Sequence, residues 1–140
     1  MKLFVTGKAG EENVARSAMQ SLKRAGHEIT FDWTSIPHLK PYTENVAASR
    51  KTAVLETQGV MDAEAVVLLA HEKGIGMYVE LGMAIAWRKP VFVIGDMTPT
   101  MFLFHPLVKR VKDITEVMDH LDKLKDEKQN NRSSYSSSSS

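Results

Sequence analysis

The chain has 140 residues, 18 Lys+Arg against 17 Asp+Glu, 43% hydrophobic residues and 25% charged ones. That is enough for one soluble domain burying roughly two-thirds of its unfolded surface. A formal net charge of +1 with no basic cluster argues against a nucleic-acid surface, because phosphate-backbone affinity comes largely from grouped Lys and Arg. The absence of cysteine excludes disulfides, thiolate metal sites and a Cys nucleophile, and fits a reducing compartment, so a cytoplasmic location is expected. The longest fully apolar run, Ala65 to Ala70, is far below the ~20 residues of a membrane helix, and the first ten residues lack a signal-peptide stretch. No membrane partner is expected.

Lys2 to Thr6 (KLFVT) is a short apolar strand stopped by Gly7, and Gly10 precedes helical spacing of Val14, Ala18, Leu22 and Ala25. Gly26 stands where this helix would be capped. His27 to Trp33 alternates Ile29, Phe31 and Trp33, predicting a second strand with Asp32 on its other face. Thr34 to Tyr42, carrying Pro37 and Pro41, reads as a loop. Thr43 is a candidate cap for a helix ending near Asp62, with Val46, Ala47, Val54 and Met61 as its apolar side.

Ala65 to Leu69 (AVVLL) is continuously apolar, as strands of parallel sheets are when helices cover both faces. A glycine-marked loop, His71 to Gly76, leads to helical spacing from Met77 to Arg88, and Pro90 ends it. Val91 to Ile94 (VFVI) is another buried strand, closed by Gly95. Ile114, Val117, Met118, Leu121 and Leu124 outline a last amphipathic helix. These elements predict one α/β domain over residues 1–125, a flavodoxin-like or Rossmann-like three-layer sandwich on a mostly parallel sheet of four to five strands. Residues 126–140, polar and serine-rich, read as a disordered tail.

In such sheets ligands bind beyond the carboxyl ends of the strands. The turn Gly7-Lys8-Ala9-Gly10 sits there and is either a plain strand-to-helix turn or an anion-facing one; it matches neither a P-loop nor a dinucleotide fingerprint. The five histidines lack metal-ligand spacing, so no metal is expected, and the eight methionines read mainly as core filling. Trp33 and Tyr42 offer aromatic faces and Asp32 a polar contact, although Trp33 equally suits the core and Tyr42 the surface. Glu80, expected in the first turn of a helix after a buried strand and a glycine loop, would be held ionised by the helix N-terminus and could act as nucleophile or stabilise an oxocarbenium-like centre. The plain alternative is that it only complements the helix dipole.

The segment Gly76-x-x-x-Glu80-Leu81-Gly82, then Met83-Ala84-Ile85-Ala86 and Lys89-Pro90-Val91, resembles the active-site segment of the nucleoside 2-deoxyribosyltransferase family and its nucleotide N-hydrolase relatives. The likeness extends more weakly from Leu3 to about Leu124. It implies the same flavodoxin-like fold, and Glu80 as a nucleophile that attacks the anomeric carbon, displaces the base and holds the sugar covalently. It implies Glu64, where the family has an Asp, as the acid beside the base, and Glu56, eight residues earlier, as a second acid. Phe4 stands where the family has a tyrosine near the sugar and lacks its hydroxyl.

Gly74 occupies a loop position where the nucleotide hydrolases carry phosphate ligands, and the turn after Gly7 has Lys8 and no arginine, which argues against a monophosphate substrate unless Lys8, Arg50 or Lys73 replaces those ligands. The expected substrate-binding set is thus Phe4, Gly7, Asp32, Trp33, Tyr42, Glu56, Gly74, Gly76 and Met77, around catalytic Glu80 and Glu64. The resemblance implies deoxyribosyl transfer between bases without a cofactor, on a small-molecule nucleoside or nucleotide plus a free nucleobase, in a homodimer or higher assembly. The alternatives are an N-glycoside hydrolase or a non-catalytic nucleotide-binding sensor. A flavoprotein reading rests on fold analogy alone.

Overall fold

The computed structural model describes the backbone of residues 1–138 and the side chains of residues 1–132. Five strands form one parallel sheet in the order β2-β1-β3-β4-β5: β1 (Lys2–Thr6), β2 (Glu28–Ile29), β3 (Ala65–Leu69), β4 (Val91–Ile94) and β5 (Val108–Val111). Four helices, α1 (Glu12–Arg24), α2 (Val46–Asp62), α3 (Gly76–Ala86) and α4 (Ile114–Ser138), complete the three-layer α/β arrangement, flavodoxin-like in strand order.

The apolar runs serve two cores at once, because side chains alternate across a strand. Leu3, Val5, Ala65, Val67 and Phe92 point to one face, with Met19 and Leu22 of α1 and Val117 and Leu121 of α4. Phe4, Val66, Leu68, Val91 and Val93 point to the other, with Val60 of α2 and Met77, Leu81 and Ala84 of α3. The inward stripe of α1 is Ala15, Ala18, Met19 and Leu22, one position round from the expected one, and Val14 is exposed. Gly26, at φ +94°, closes α1: its N–H donates to Lys23 O and that of His27 to Leu22 O, the paired bonds of a left-handed helix stop.

Two expectations are corrected here, and one strand went unread. The second strand is only Glu28–Ile29, because the Asp32 carboxylate accepts from the Thr34 N–H and hydroxyl and folds Trp33–Ser35 into a 3₁₀ turn. β5 was not legible as a strand: it is an edge strand, VKRV, whose two charges break the apolar pattern. The chain does not turn irregular at Asp126, since α4 continues to Ser138. The charged stretch Lys125–Lys128 keeps to helix, and Lys128 Nζ donates to Glu64 Oε2 at 2.8 Å, fastening α4 to the base of the sheet. The remaining two residues of the expected tail, 139–140, lie outside the described residues.

Helix α2 is turned opposite to expectation. Val46, Val54 and Met61 are exposed, while Ser49, Thr52, Glu56, Gly59 and Val60 face inward. The reason is the cavity described below: a helix that walls a polar pocket directs its polar stripe inward. Gly59 permits the close seating of α2, because a Cβ there would lie 2.9 Å from the Phe4 ring and 3.0 Å from Phe31 Cβ. Thr30 Oγ1 donates to Gly59 O at 2.7 Å, and Lys89 Nζ donates to Met61 O and Ala63 O, satisfying carbonyls at the end of α2.

Candidate active site

The strand order reverses between β1 and β3, and a cavity of about 450 Å³ opens beyond their carboxyl ends, within the range of small-molecule sites. Its walls come from the β1–α1 turn (Gly7, Lys8, Glu12), the segment before α2 (Trp33, Pro37, His38, Lys40, Tyr42), the inward stripe of α2 (Ser49, Thr52, Glu56) and the α3 entry (Lys73, Gly74, Gly76, Met77, Glu80). Hydrogen bonds fix these walls. Asn45 Nδ2 donates to Leu39 O at 3.0 Å and Pro41 O at 3.2 Å, holding the segment before α2. Tyr78 Oη donates to His71 O at 2.8 Å, and His71 Nε2 lies 3.4 Å from Glu11 Oε1, joining the loops after β3 and β1.

Glu80 is the fifth residue of α3, beyond the first turn, and is only 7% exposed. Its Oε1 accepts a 2.7 Å hydrogen bond from Thr6 Oγ1, itself buried at the end of β1, while Oε2 has no partner among the described residues. Burial, then the negative charge of Glu56, push its pKa up to about 8, with the Thr6 bond acting in the opposite sense. The expected ionisation by the helix N-terminus is therefore corrected. At the fifth position no unpaired N–H is at hand, desolvation prevails, and Glu80 is mainly protonated at neutral pH. Burial also raises the pKa of Glu56. The cavity thus holds two carboxyl groups of raised proton affinity facing three lysines, Lys8, Lys40 and Lys73.

Of the expected site residues, the structure gathers Gly7, Trp33, Tyr42, Glu56, Gly74, Gly76, Met77 and Glu80 around this cavity. Trp33 fills both roles weighed for it, lining the cavity and packing on the core while its Nε1 donates to Val5 O at 2.7 Å. Three residues stand elsewhere. Phe4 is fully buried beneath α2. Asp32 spends its carboxylate on the Thr34 cap and does not line the cavity.

Glu64 lies at the opposite end of β3, four residues before the Leu68 that pairs with Thr6, or ~13 Å at the strand rise. There it accepts from Lys2 N–H and Lys128 Nζ. The Lys128 contact, then the Lys2 bond, hold its pKa down at about 2, so it is a permanently ionised carboxylate with no proton to give. Sequence reasoning missed Thr6, and the signal was present: residues i and i+2 of a strand share a face, so Thr6 follows Phe4 toward α3. It also missed Ser49 and Thr52, which share one helix face with the expected Glu56 at i, i+3, i+7 spacing. Among the described residues no three His, Asp or Glu side chains converge as a metal site.

No protein-family model matches the chain, and no curated protein matches it in sequence. Among solved structures it is similar to a CMP N-glycosidase, BcmB, from Clostridium botulinum. The identity is 14%, the TM-score 0.54, and the match covers 87% of this chain and 98% of the other. The two proteins share a fold.

Proposed function

We propose that this protein cleaves the N-glycosidic bond of a nucleoside or nucleoside 5′-monophosphate, with Glu80 as nucleophile, Glu56 as proton donor and water as the final acceptor. The observation that carries this reading is the buried Glu80 carboxyl, one oxygen held by Thr6, in a cavity it shares with a second carboxyl of raised pKa. The resemblance of the Gly76–Ala86 segment to the deoxyribosyltransferase and nucleotide hydrolase family supports it, as does the fold shared with a CMP N-glycosidase.

The chemistry follows from the electrostatics. Breaking the bond from C1′ to the base nitrogen leaves positive charge on the sugar, and an anion in a desolvated site is stabilised more by that developing cation than by the neutral ground state. The electron pair of the breaking bond goes to the base, which takes the Glu56 proton, and a bond forms between C1′ and Glu80. Water then attacks C1′, gives its proton to the ionised Glu56 and releases Glu80, with net retention. The reactive state has Glu80 ionised and Glu56 protonated, so the two carboxyls carry one proton between them and titrate as a pair. Lys8, Lys40 and Lys73 offer cationic partners for a 5′-phosphate.

Chromatography of nucleosides, deoxynucleosides and their 5′-monophosphates incubated with wild type and Glu80→Gln tests the reading. Base and free sugar released only by the wild type are expected. A new nucleoside formed from an added base would make water the wrong acceptor, and no release from any substrate would remove the enzyme reading in favour of a binding module. The resemblance further implies a homo-oligomer. We infer that a second copy covers the apolar outer residues Val46, Val54 and Met61 of α2 and Val79 of α3, so sedimentation should give a dimer or larger species that Val54→Asp dissociates.

A further inference from the structure

Among the described residues Glu80 has a single partner for its buried carboxyl, and that partner comes from a different layer of the fold. Thr6, the last residue of β1, is 1% exposed and donates its hydroxyl proton to Oε1 at 2.7 Å, across 74 residues of sequence. Phe4, on the same face of β1, is packed against α2 and has no hydroxyl to offer. The bond leaves Oε2 as the oxygen without a partner on the cavity-lining carboxyl. A glutamate carboxyl hangs on three rotatable bonds, and fixing one oxygen restricts its position and its angle.

We propose that Thr6 is the positioning residue of this site: its hydroxyl clamps Oε1 of Glu80 and so fixes the carboxyl that meets the anomeric carbon. The assignment rests on the N-glycosidase reading for its catalytic consequence, whereas the clamp itself stands on the geometry. Because the hydroxyl donates to the ionised form, it also lowers the proton affinity of Glu80 against burial. The other ionisable groups on the cavity are Glu56 from α2, Lys8 and Glu12 from the β1–α1 segment, His38, Lys40 and Tyr42 from the segment before α2, and Lys73 from the loop before α3. Replacing Thr6 leaves these side chains in place, and Glu56, which titrates as a pair with Glu80, follows its shift.

The test compares wild type, Thr6→Val and Thr6→Ser, with Thr6→Ala as a second hydroxyl deletion should valine not fold. The Glu80 carboxyl is titrated by carbon NMR on δ-13C-glutamate-labelled protein, its signal assigned by its absence in Glu80→Gln, and base release is measured across pH. Removing the hydroxyl should move the Glu80 titration and the rising limb of kcat to higher pH. It should also lower kcat about 10- to 100-fold with KM within about twofold, and serine should restore both readouts. A Glu80 titration identical in wild type and the deletion variant, or a serine variant that restores neither readout, overturns the assignment. A shifted titration in a protein that releases no base overturns the N-glycosidase reading instead, leaving Thr6 as the group that fixes Glu80.

Discussion

Replacing Glu80 by glutamine removes a titrating group while keeping its shape, and its effect on stability must depend on pH if burial governs this carboxyl. The folded protein binds the Glu80 proton up to about pH 8, whereas the unfolded chain releases it near the ordinary 4.5. Between those values the folded state holds more protons, so wild-type stability falls as pH rises; below and above the window it is flat with respect to this group. At ~1.4 kcal/mol per pH unit the full window amounts to about 5 kcal/mol, and the part reached by pH 7 to about 3 kcal/mol. These are upper bounds, because water entering the cavity partly re-solvates the carboxylate. Urea denaturation of both proteins from pH 5 to pH 9.5 measures the difference directly. The glutamine variant should start within about 1–2 kcal/mol of wild type at pH 5, the cost of an unpaired amide, and gain steadily until pH 8–9. A gap constant to about 1 kcal/mol across the range would mean that Glu80 ionises normally, and the desolvation argument would fail.

Glu64 should behave in the opposite way and matter little. Glu64→Gln is expected to leave base release unchanged, which reading the same product assay will establish, and to cost no more than about 1 kcal/mol of stability because the Lys128 pair is well exposed to solvent. Its folded pKa is depressed, so that contribution is present above pH 4.5, fades as pH falls toward 2, and shrinks in high salt. Gly59→Ala should destabilise by about 1–3 kcal/mol in thermal or urea unfolding, since the new methyl meets the Phe4 ring and Phe31 Cβ, neither of which has room to move. An unaltered midpoint would show that α2 can lift off the sheet freely.

The parts of the fold governed by local pattern were readable from the chain. KLFVT, AVVLL and VFVI are β1, β3 and β4, because a strand covered on both faces needs apolar residues at every position. The edge elements were not readable in the same way. β2 stops after two residues because the Asp32 carboxylate accepts from the Thr34 N–H and hydroxyl, and β5 carries charges that only an edge tolerates. For the site, the glycine-framed Glu80 segment was legible, whereas Glu64 was misplaced. A residue one step before a strand looks close to the crevice in sequence, yet parallel strands put their beginnings and ends at opposite edges of the sheet. α2 was misread for a related reason. Its apolar residues were assumed to face the core, but the helix borders a cavity on the inside and leaves Val46, Val54 and Met61 outside.

The same inversion explains why a carboxyl can be kept in so unfavourable a place. Glu80 sits among Met77, Leu81 and Ala84 on a helix whose remaining residues are apolar or small, and nothing in α3 itself could offset its desolvation. The compensation comes from outside the helix, through Thr6 of β1, and it is incomplete, since Oε2 stays unpartnered. An acid destabilised in this manner binds its proton tightly and regains most by facing a cation. A substrate whose sugar becomes cationic as its base departs supplies that cation only at the transition state, where the energy of the strained carboxylate is converted into rate. Raising the cavity's polarity should therefore cost activity even when it stabilises the fold. Met77→Gln, which puts an amide on the cavity wall three residues before Glu80, is expected to bring the Glu80 pKa down and, by easing the ground state, to slow base release. A variant with a lowered Glu80 titration and undiminished kcat would show that desolvation is incidental to the chemistry.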